Sequence, residues 1–251
     1  LLILHISLNR ITFLKYSEKK ILAKKLDSSR SLALLSIEEI ETIIGRQIQK
    51  RVVWNGLENL RMAERAFLYC ETFNIKILLN EDPYYPELLR QISDPPYLLF
   101  CRGDLELLSK PCVSIVGTRR LSSPDRSAAR NFAYDALMDS CNVVSGLATG
   151  ADGYAHQGAL DAFFDCDEKN ADLSKLGRTI AVIPSGIDDI IPSCHKKMAG
   201  QILQTGGCII SEYEPKLEMA NWHFVGRNRI IAGLSAATVV IEAPDGSGAL
   251  I

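Results

Sequence analysis

From Pro111 onward the chain repeats one pattern, a short apolar run rich in branched residues followed by a helix-sized segment of mixed polarity. The runs occupy residues 113–116, 143–144, 179–183, 208–210 and 238–241. Continuous apolar runs, without polar alternation, are the mark of strands covered on both faces. Strands that alternate with helices predict an α/β fold: a Rossmann-like, doubly wound, mostly parallel sheet. Ser123 as N-cap and Pro124 at the first helical position start the helix after the first run. Between residues 161 and 177 five acids, Asp161, Asp165, Asp167, Glu168 and Asp172, predict a solvated, mobile loop.

The first 74 residues follow a different period. Leu22 with Leu26, Leu32 with Leu34 and Leu35, then Ile37, Ile40, Ile43 and Ile44, and a longer stretch from 57 to 73, predict a small helical module of SAM-like or helix-hairpin type. Residues 75–79 and 97–101 are strand candidates. Between them Pro83, Pro86, Pro95 and Pro96 forbid a continuous helix, so the segment is expected to be an extended connector. The predicted organisation is therefore a helical module over 1–74 and an α/β domain over 75–251.

Composition narrows the class. The 251 residues are 47% hydrophobic and 23% charged with a net charge of −2, enough for a large core and unlike a wholly basic nucleic-acid binder. By segment the charge is +4 over residues 1–75, −2 over 76–111 and −4 over 112–251. Seven cysteines, spread singly without a C-x-x-C pair, indicate a reducing compartment and no zinc site. The apolar start, residues 1–6, is broken by Asn9 and Arg10 long before a membrane span is reached and lacks the flanks of a signal peptide. A cytoplasmic location follows as the expectation.

Ligands of an open parallel sheet bind along the carboxyl ends of its strands. Here those ends read Gly117-Thr118-Arg119-Arg120, Ser145-Gly146-Leu147-Ala148-Thr149-Gly150, Pro184-Ser185-Gly186, Ser211-Glu212-Tyr213 and Pro244-Asp245-Gly246-Ser247-Gly248. Any one of these also fits a tight strand-to-helix turn; several on one edge point to a groove in which backbone N–H groups meet phosphates. Cations accompany them: Arg119 and Arg120, Lys196 and Lys197, and Arg227 with Arg229. Guanidinium forks and lysine point charges suit a polyanion, although Arg120 or Lys197 alone reads equally as surface charge. No P-loop and no Gly-x-Gly-x-x-Gly is present. Asp152 with His156, the neighbours Cys194 and His195, and the strand-end acids Glu212 and Glu242 are the acid–base candidates, each explained at least as well by capping or packing. No catalytic residue, metal ligand or cofactor is assigned.

The ordered motifs Ser114-Ile115-Val116-Gly117-Thr118-Arg119, Val144-Ser145-Gly146-Leu147-Ala148 with Asp152 and His156, Ser211-Glu212-Tyr213 and Arg227-Asn228-Arg229-Ile230-Ile231-Ala232-Gly233-Leu234-Ser235 resemble the DNA-processing protein A (DprA/Smf) family. Upstream, Asp82-Pro83-Tyr84-Tyr85-Pro86 and Arg102-Gly103-Asp104 match the family's lead-in. The resemblance implies an extended Rossmann fold and a bacterial cytoplasmic, non-enzymatic protein that binds incoming single-stranded DNA during natural transformation. It also implies protection of that strand, help in loading the RecA recombinase, and a homodimer. For the DNA pocket it implies the turn Gly117, Thr118 and Arg119 and a lysine best matched by Lys196; joined to the strand-end and cation reading above, the candidate DNA-binding residues are Gly117, Thr118, Arg119, Arg120, Ser145, Gly146, Lys196, Lys197, Arg227 and Arg229. The chain departs from the family at Pro124-Asp125, at His195 where the family has Asn, and at Gly150-Ala151-Asp152. Family members continue through a further strand and helix beyond the Ser247–Ile251 stretch, so the resemblance implies a fold incomplete at its C-terminal end. A nucleotide-processing enzyme of the lysine-decarboxylase-like phosphoribohydrolase type is the alternative. Residues 244–249 match only the start of its signature, without the catalytic glutamate.

Overall fold

The structure, a computed structural model, describes residues 1–49 and 51–248. The chain divides into two compact units, one of residues Leu1–Ile77 with Pro96–Leu98, the other of Leu78–Pro95 with the chain from Leu99 onward.

Among the described residues the first unit holds five helices, α1 (Leu2–Asn9), α2 (Tyr16–Lys25), α3 (Ser29–Leu34), α4 (Ile37–Ile44) and α5 (Gly56–Thr72). Each boundary has a local cause. Ser36 and Glu39 form a reciprocal capping box at the start of α4, and Gly45 ends that helix in the left-handed conformation at φ 71°. Asn55 caps α5 by accepting from the Glu58 N–H. Leu4, Ile6, Leu22, Leu32, Ile40 and Ala63 are buried. The apolar opening of the chain is thus the first helix of this core. Glu18, also buried, is held by Arg46, whose Nε and Nη2 donate to the two carboxylate oxygens at 2.6 and 2.9 Å. That bond keeps the Glu18 carboxyl below its ordinary pKa.

The remaining elements are β1 (Lys76–Leu79), α6 (Glu87–Arg90), β2 (Leu98–Gly103), β3 (Cys112–Gly117), α7 (Ser123–Met138), β4 (Asn142–Ser145), α8 (Ala151–Glu168), β5 (Thr179–Val182), α9 (Lys196–Gln204), β6 (Cys208–Ser211), α10 (Trp222–Gly233) and β7 (Ala237–Ile241). Among the described residues the sheet has seven strands in the order β1-β2-β6-β5-β4-β3-β7. Strands β6, β5, β4, β3 and β7 run parallel, and β2 joins β6 antiparallel. Successive strands step outward from β3 to β6, then α10 carries the chain back to β7 on the opposite side of β3. The reversal of strand order at β3 is the switch point at which open α/β sheets leave a crevice.

The two faces are packed differently. Leu99, Cys101, Val144, Ile180, Val182 and Ile210 form one core with Ile230, Ile231 and Leu234 from the α10 side. On the other face Ile115 and Val143 meet Ala133, Leu137, Ala155, Ala159 and Ala162 of α7 and α8. These small residues let the two helices touch closely: a Cβ on Gly158 would lie 2.0 Å from the Arg130 carbonyl oxygen.

Three local expectations are corrected. The acidic stretch is not a loop throughout, because α8 continues to Glu168. Its buried positions Ala155, Ala159, Ala162 and Cys166 recur at helical spacing, and the acids occupy the outer face. Asp161 there pairs with Arg130 and the Tyr134 hydroxyl donates to Asp165. The N-cap of α7 is Ser122, whose hydroxyl accepts from the Asp125 N–H, so Ser123 is already helical. The connector contains α6, which follows Pro86 rather than being interrupted by it.

Gly158→Ala is expected to lower stability by roughly 1–3 kcal/mol, because overpacking against a backbone carbonyl outweighs the smaller gain in helix propensity. Urea denaturation checks it, and a midpoint at or above wild type would contradict the close helix contact.

Candidate functional site

The crest of the sheet is built by interlocking turns. A Cβ on Gly117 would meet the Ile241 carbonyl oxygen at 1.9 Å, and one on Gly150, at φ +83°, would meet the Thr118 oxygen at 2.3 Å. Glycine is therefore required where β3 ends and where α8 begins. The Thr118 N–H donates to the Glu242 carbonyl at 3.0 Å, and the Ala151 N–H donates to the Thr118 carbonyl at 3.1 Å. From this clamped turn the Arg119 and Arg120 side chains extend into solvent. The Arg119 guanidinium sits 5.0 Å from the centre of the Phe224 ring, a cation–π contact that orients it.

Beneath the turns lies a buried polar floor. Arg227, 4% exposed, donates from Nη1 to the Val182 carbonyl at 2.8 Å and faces the Asp152 carboxylate at 3.9 Å. Gly146 makes room for it, since a Cβ there would fall 1.4 Å from Nη1. Asp152 also accepts from the Ala148 N–H at 3.3 Å, which ties the loop after β4 to α8. Burial pushes the Asp152 carboxyl up and the Arg227 guanidinium down, and each opposes the other's shift. Ser145 is buried, its hydroxyl donating to the Ile115 carbonyl at 2.6 Å.

His156 is buried beside this floor. The Thr179 hydroxyl donates to the Val143 carbonyl at 3.1 Å, so its oxygen accepts from His156 Nδ1–H at 2.7 Å. The other ring nitrogen, Nε2, is then an acceptor buried without a partner. Burial pushes the imidazole pKa down to about 3, with His195 and Arg227 contributing. His195 serves the backbone: its Nδ1 donates to the Leu147 carbonyl at 2.8 Å, and its ring packs at Gly153. It thereby pins the start of α9 to the loop after β4. Lys196 and Lys197 follow, both exposed at the N-terminal end of α9. Cations at that end oppose the helix dipole, a cost that an arriving anion relieves.

The ten residues singled out in the sequence thus separate into a solvent-facing set, a buried floor and Arg229, which stands apart. Gly117, Thr118, Arg119 and Arg120 line a cavity of about 750 Å³ at the β3–β7 switch point, with Phe224 and Asn228 opposite. Lys196 and Lys197 follow His195, exposed at the start of α9. Ser145, Gly146 and Arg227 lie below the surface as the floor. Arg229 is committed elsewhere, with Nη2 donating to both Glu212 oxygens at 2.7 and 2.9 Å and Nε to Asp94 at 3.1 Å. Of the acid–base candidates, Glu212 is held by Arg229 Nη2, shared between its two oxygens, and Glu242 accepts from the Ser122 N–H at 2.9 Å. Cys194 is exposed, and among the described residues no group of three His, Cys, Asp or Glu side chains could hold a metal ion. Ala249, Leu250 and Ile251, where the motif run ends, lie outside the described residues. Tyr213, Trp222 and His223 form an aromatic cluster that the strand-end motifs do not point to. Its signal was three consecutive rings, 222–224, directly before the Arg227-Asn228-Arg229 motif.

The buried imidazole carries a pH signature. Its folded pKa of about 3 lies below the ordinary 6.5, so between these values the unfolded chain binds the additional proton. The contribution is fully present above about pH 6.5 and is lost as pH falls toward about 3. His156→Asn, which keeps a donor toward Thr179, should flatten the acid limb of a stability–pH curve measured by urea denaturation. Parallel limbs in the two proteins would show that His156 does not titrate in this window.

Comparison with known proteins agrees with this geometry. The family model for DNA recombination-mediator protein A matches residues 76–251. The Smf protein of Borreliella burgdorferi is 30% identical over 244 residues, 97% of this chain and 72% of that protein. The crystal structure of DNA processing protein A from Streptococcus pneumoniae superposes with a TM-score of 0.73 at 29% identity, covering 100% of this chain and 81% of that one. A structure of DNA processing protein A from Helicobacter pylori, which describes that protein's mode of binding single-stranded DNA, has a TM-score of 0.58 at 29% identity over 70% of this chain and 73% of its own. With the strand-end turns, the sheet order and the match over residues 76–251 in agreement, this chain belongs to the DNA recombination-mediator protein A family, DprA/Smf.

Proposed function

We propose that the crest binds the phosphate backbone of single-stranded DNA without reading its bases, and that the protein acts as a mediator of recombination rather than as an enzyme. The observation that carries this reading is the cationic edge: Arg119 and Arg120 on a turn clamped by glycine contacts, and Lys196 and Lys197 at a helix start pinned by His195. A rigid scaffold reduces the entropy lost when a flexible strand is ordered on it. Phosphate neutralisation then provides sequence-independent affinity that falls steeply with salt. The Helicobacter pylori relative's binding of single-stranded DNA supports the same assignment.

In this reading Arg227, Ser145 and Gly146 position the loop after β4 from below, and Arg229 holds Glu212 away from the strand. The engagement of Glu212 and Glu242 speaks against the phosphoribohydrolase alternative, which needs a free general base. Delivery of the strand to a RecA-type recombinase, a homodimeric assembly and a cytoplasmic setting belong to the same proposal and rest on family resemblance. Among the described residues no helix is long and apolar enough to cross a membrane.

Arg119→Ala and Lys196→Ala should each weaken binding of an oligothymidylate by roughly five- to fiftyfold at low salt. Each should also reduce the slope of log K against log salt by about one. Fluorescence anisotropy across a salt series reads both quantities. Unchanged affinity in both variants would overturn the assignment of the crest.

A further inference from the structure

We propose that Trp222 is a stacking platform for an unpaired base of the bound strand, an inference that rests on the single-strand reading above. Trp222 opens α10 at the crest and is 63% exposed. A tryptophan left in water forgoes the burial of a large apolar ring. Here the ring is nevertheless held in place. It meets His223 at a centroid distance of 4.1 Å and 89°, and Tyr213 at 6.3 Å and 79°. Tyr213 in turn stacks on His223 at 3.9 Å and 16°. His223 is buried, with Nδ1 3.1 Å from the Pro184 carbonyl oxygen, so the cluster is anchored to the loops after β5 and β6. A pre-oriented, open aromatic ring suits a planar base, which every nucleotide offers.

The surroundings match an anionic strand. Two residues along α10, Phe224 carries the Arg119 guanidinium over its ring. The loop after β5, which anchors His223 through Pro184, leads on to Lys196. Of the nearby acids, Glu212 is held by Arg229, and Asp188 pairs with Lys216 at 2.7 Å. Backbone contacts at the cations and one stacked base at Trp222 together favour a single strand over a duplex, whose bases are already stacked on one another.

The chain has two tryptophans, 54 and 222, so a Trp54→Phe protein reports Trp222 fluorescence alone. Oligothymidylate should quench that emission. An abasic strand of equal length and charge should not, and should bind roughly five- to hundredfold more weakly. Trp222→Ala should lower affinity for oligothymidylate by a similar factor, leave the abasic strand unaffected, and be largely rescued by Trp222→Phe. Equal affinity for the two strands in the parent protein, or unchanged oligothymidylate binding by Trp222→Ala, would overturn the platform while leaving single-strand binding in place. Failure of the parent protein to bind either strand would overturn the underlying reading and the platform with it.

Discussion

Arg227 brings a guanidinium, 4% exposed, to the point where β4, β5 and α8 converge, donates it to the Val182 carbonyl and sets it against Asp152. Removing a charge from water costs several kcal/mol per ion, so such a group persists only where carbonyls and a counter-charge replace the lost hydration. That requirement propagates outward. Gly146 has to lack a side chain, Asp152 has to sit in the first turn of α8, and the loop between them is drawn down by the Ala148 N–H. The clamped turn at Gly117 and Thr118 packs on the start of α8, and His195 pins α9 to the same loop. The exposed cations of the crest are held in place by a buried one.

The sheet supplies the frame. Because β3 has β4 on one side and β7 on the other, the loops that follow β3 and β7 leave a crevice between them, and the arginines at 119 and 120 fall on its wall. Tight packing of α7 on α8 through alanine and glycine keeps that face close, while α10 crosses the opposite face and carries both the buried Arg227 and the exposed Trp222. One helix thus contributes the floor of the site and its aromatic rim. The cost of burying Arg227 and that of exposing Trp222 are borne by the same element, which branched residues Ile230 and Ile231 hold against the sheet.

Much of this was legible in the chain. Short unbroken apolar runs of branched residues, alternating with helix-sized segments, read as strands covered on both sides, and glycines after four of the five runs mark the turns that follow. The errors fell where one-dimensional pattern is ambiguous. The acidic stretch from Asp161 reads as solvent-exposed loop because its charges are dense, yet Ala162 and Cys166 continue the helical spacing of Ala155 and Ala159. Arg227 and Arg229 looked like surface cations because sequence shows charge and not depth. The rings at 222–224 were passed over because an aromatic run reads first as core.

The residue pattern by itself determined the α/β class, the carboxyl-edge turns and the presence of Arg119, Arg120, Lys196 and Lys197 beside them, since backbone sterics and hydrophobic periodicity act locally. Which cations face solvent was decided only by the tertiary structure. Arg227 sits two residues from Arg229 and three from Phe224, whose ring carries Arg119, yet Arg227 is buried against Asp152, Arg229 is locked to Glu212 and Asp94, and Arg119 remains open. Desolvation and ion pairing depend on what neighbouring strands and helices bring within a few ångströms, and those neighbours are remote in sequence: Asp152 at the start of α8 and Arg227 on α10 meet at the carboxyl ends of β4 and β5.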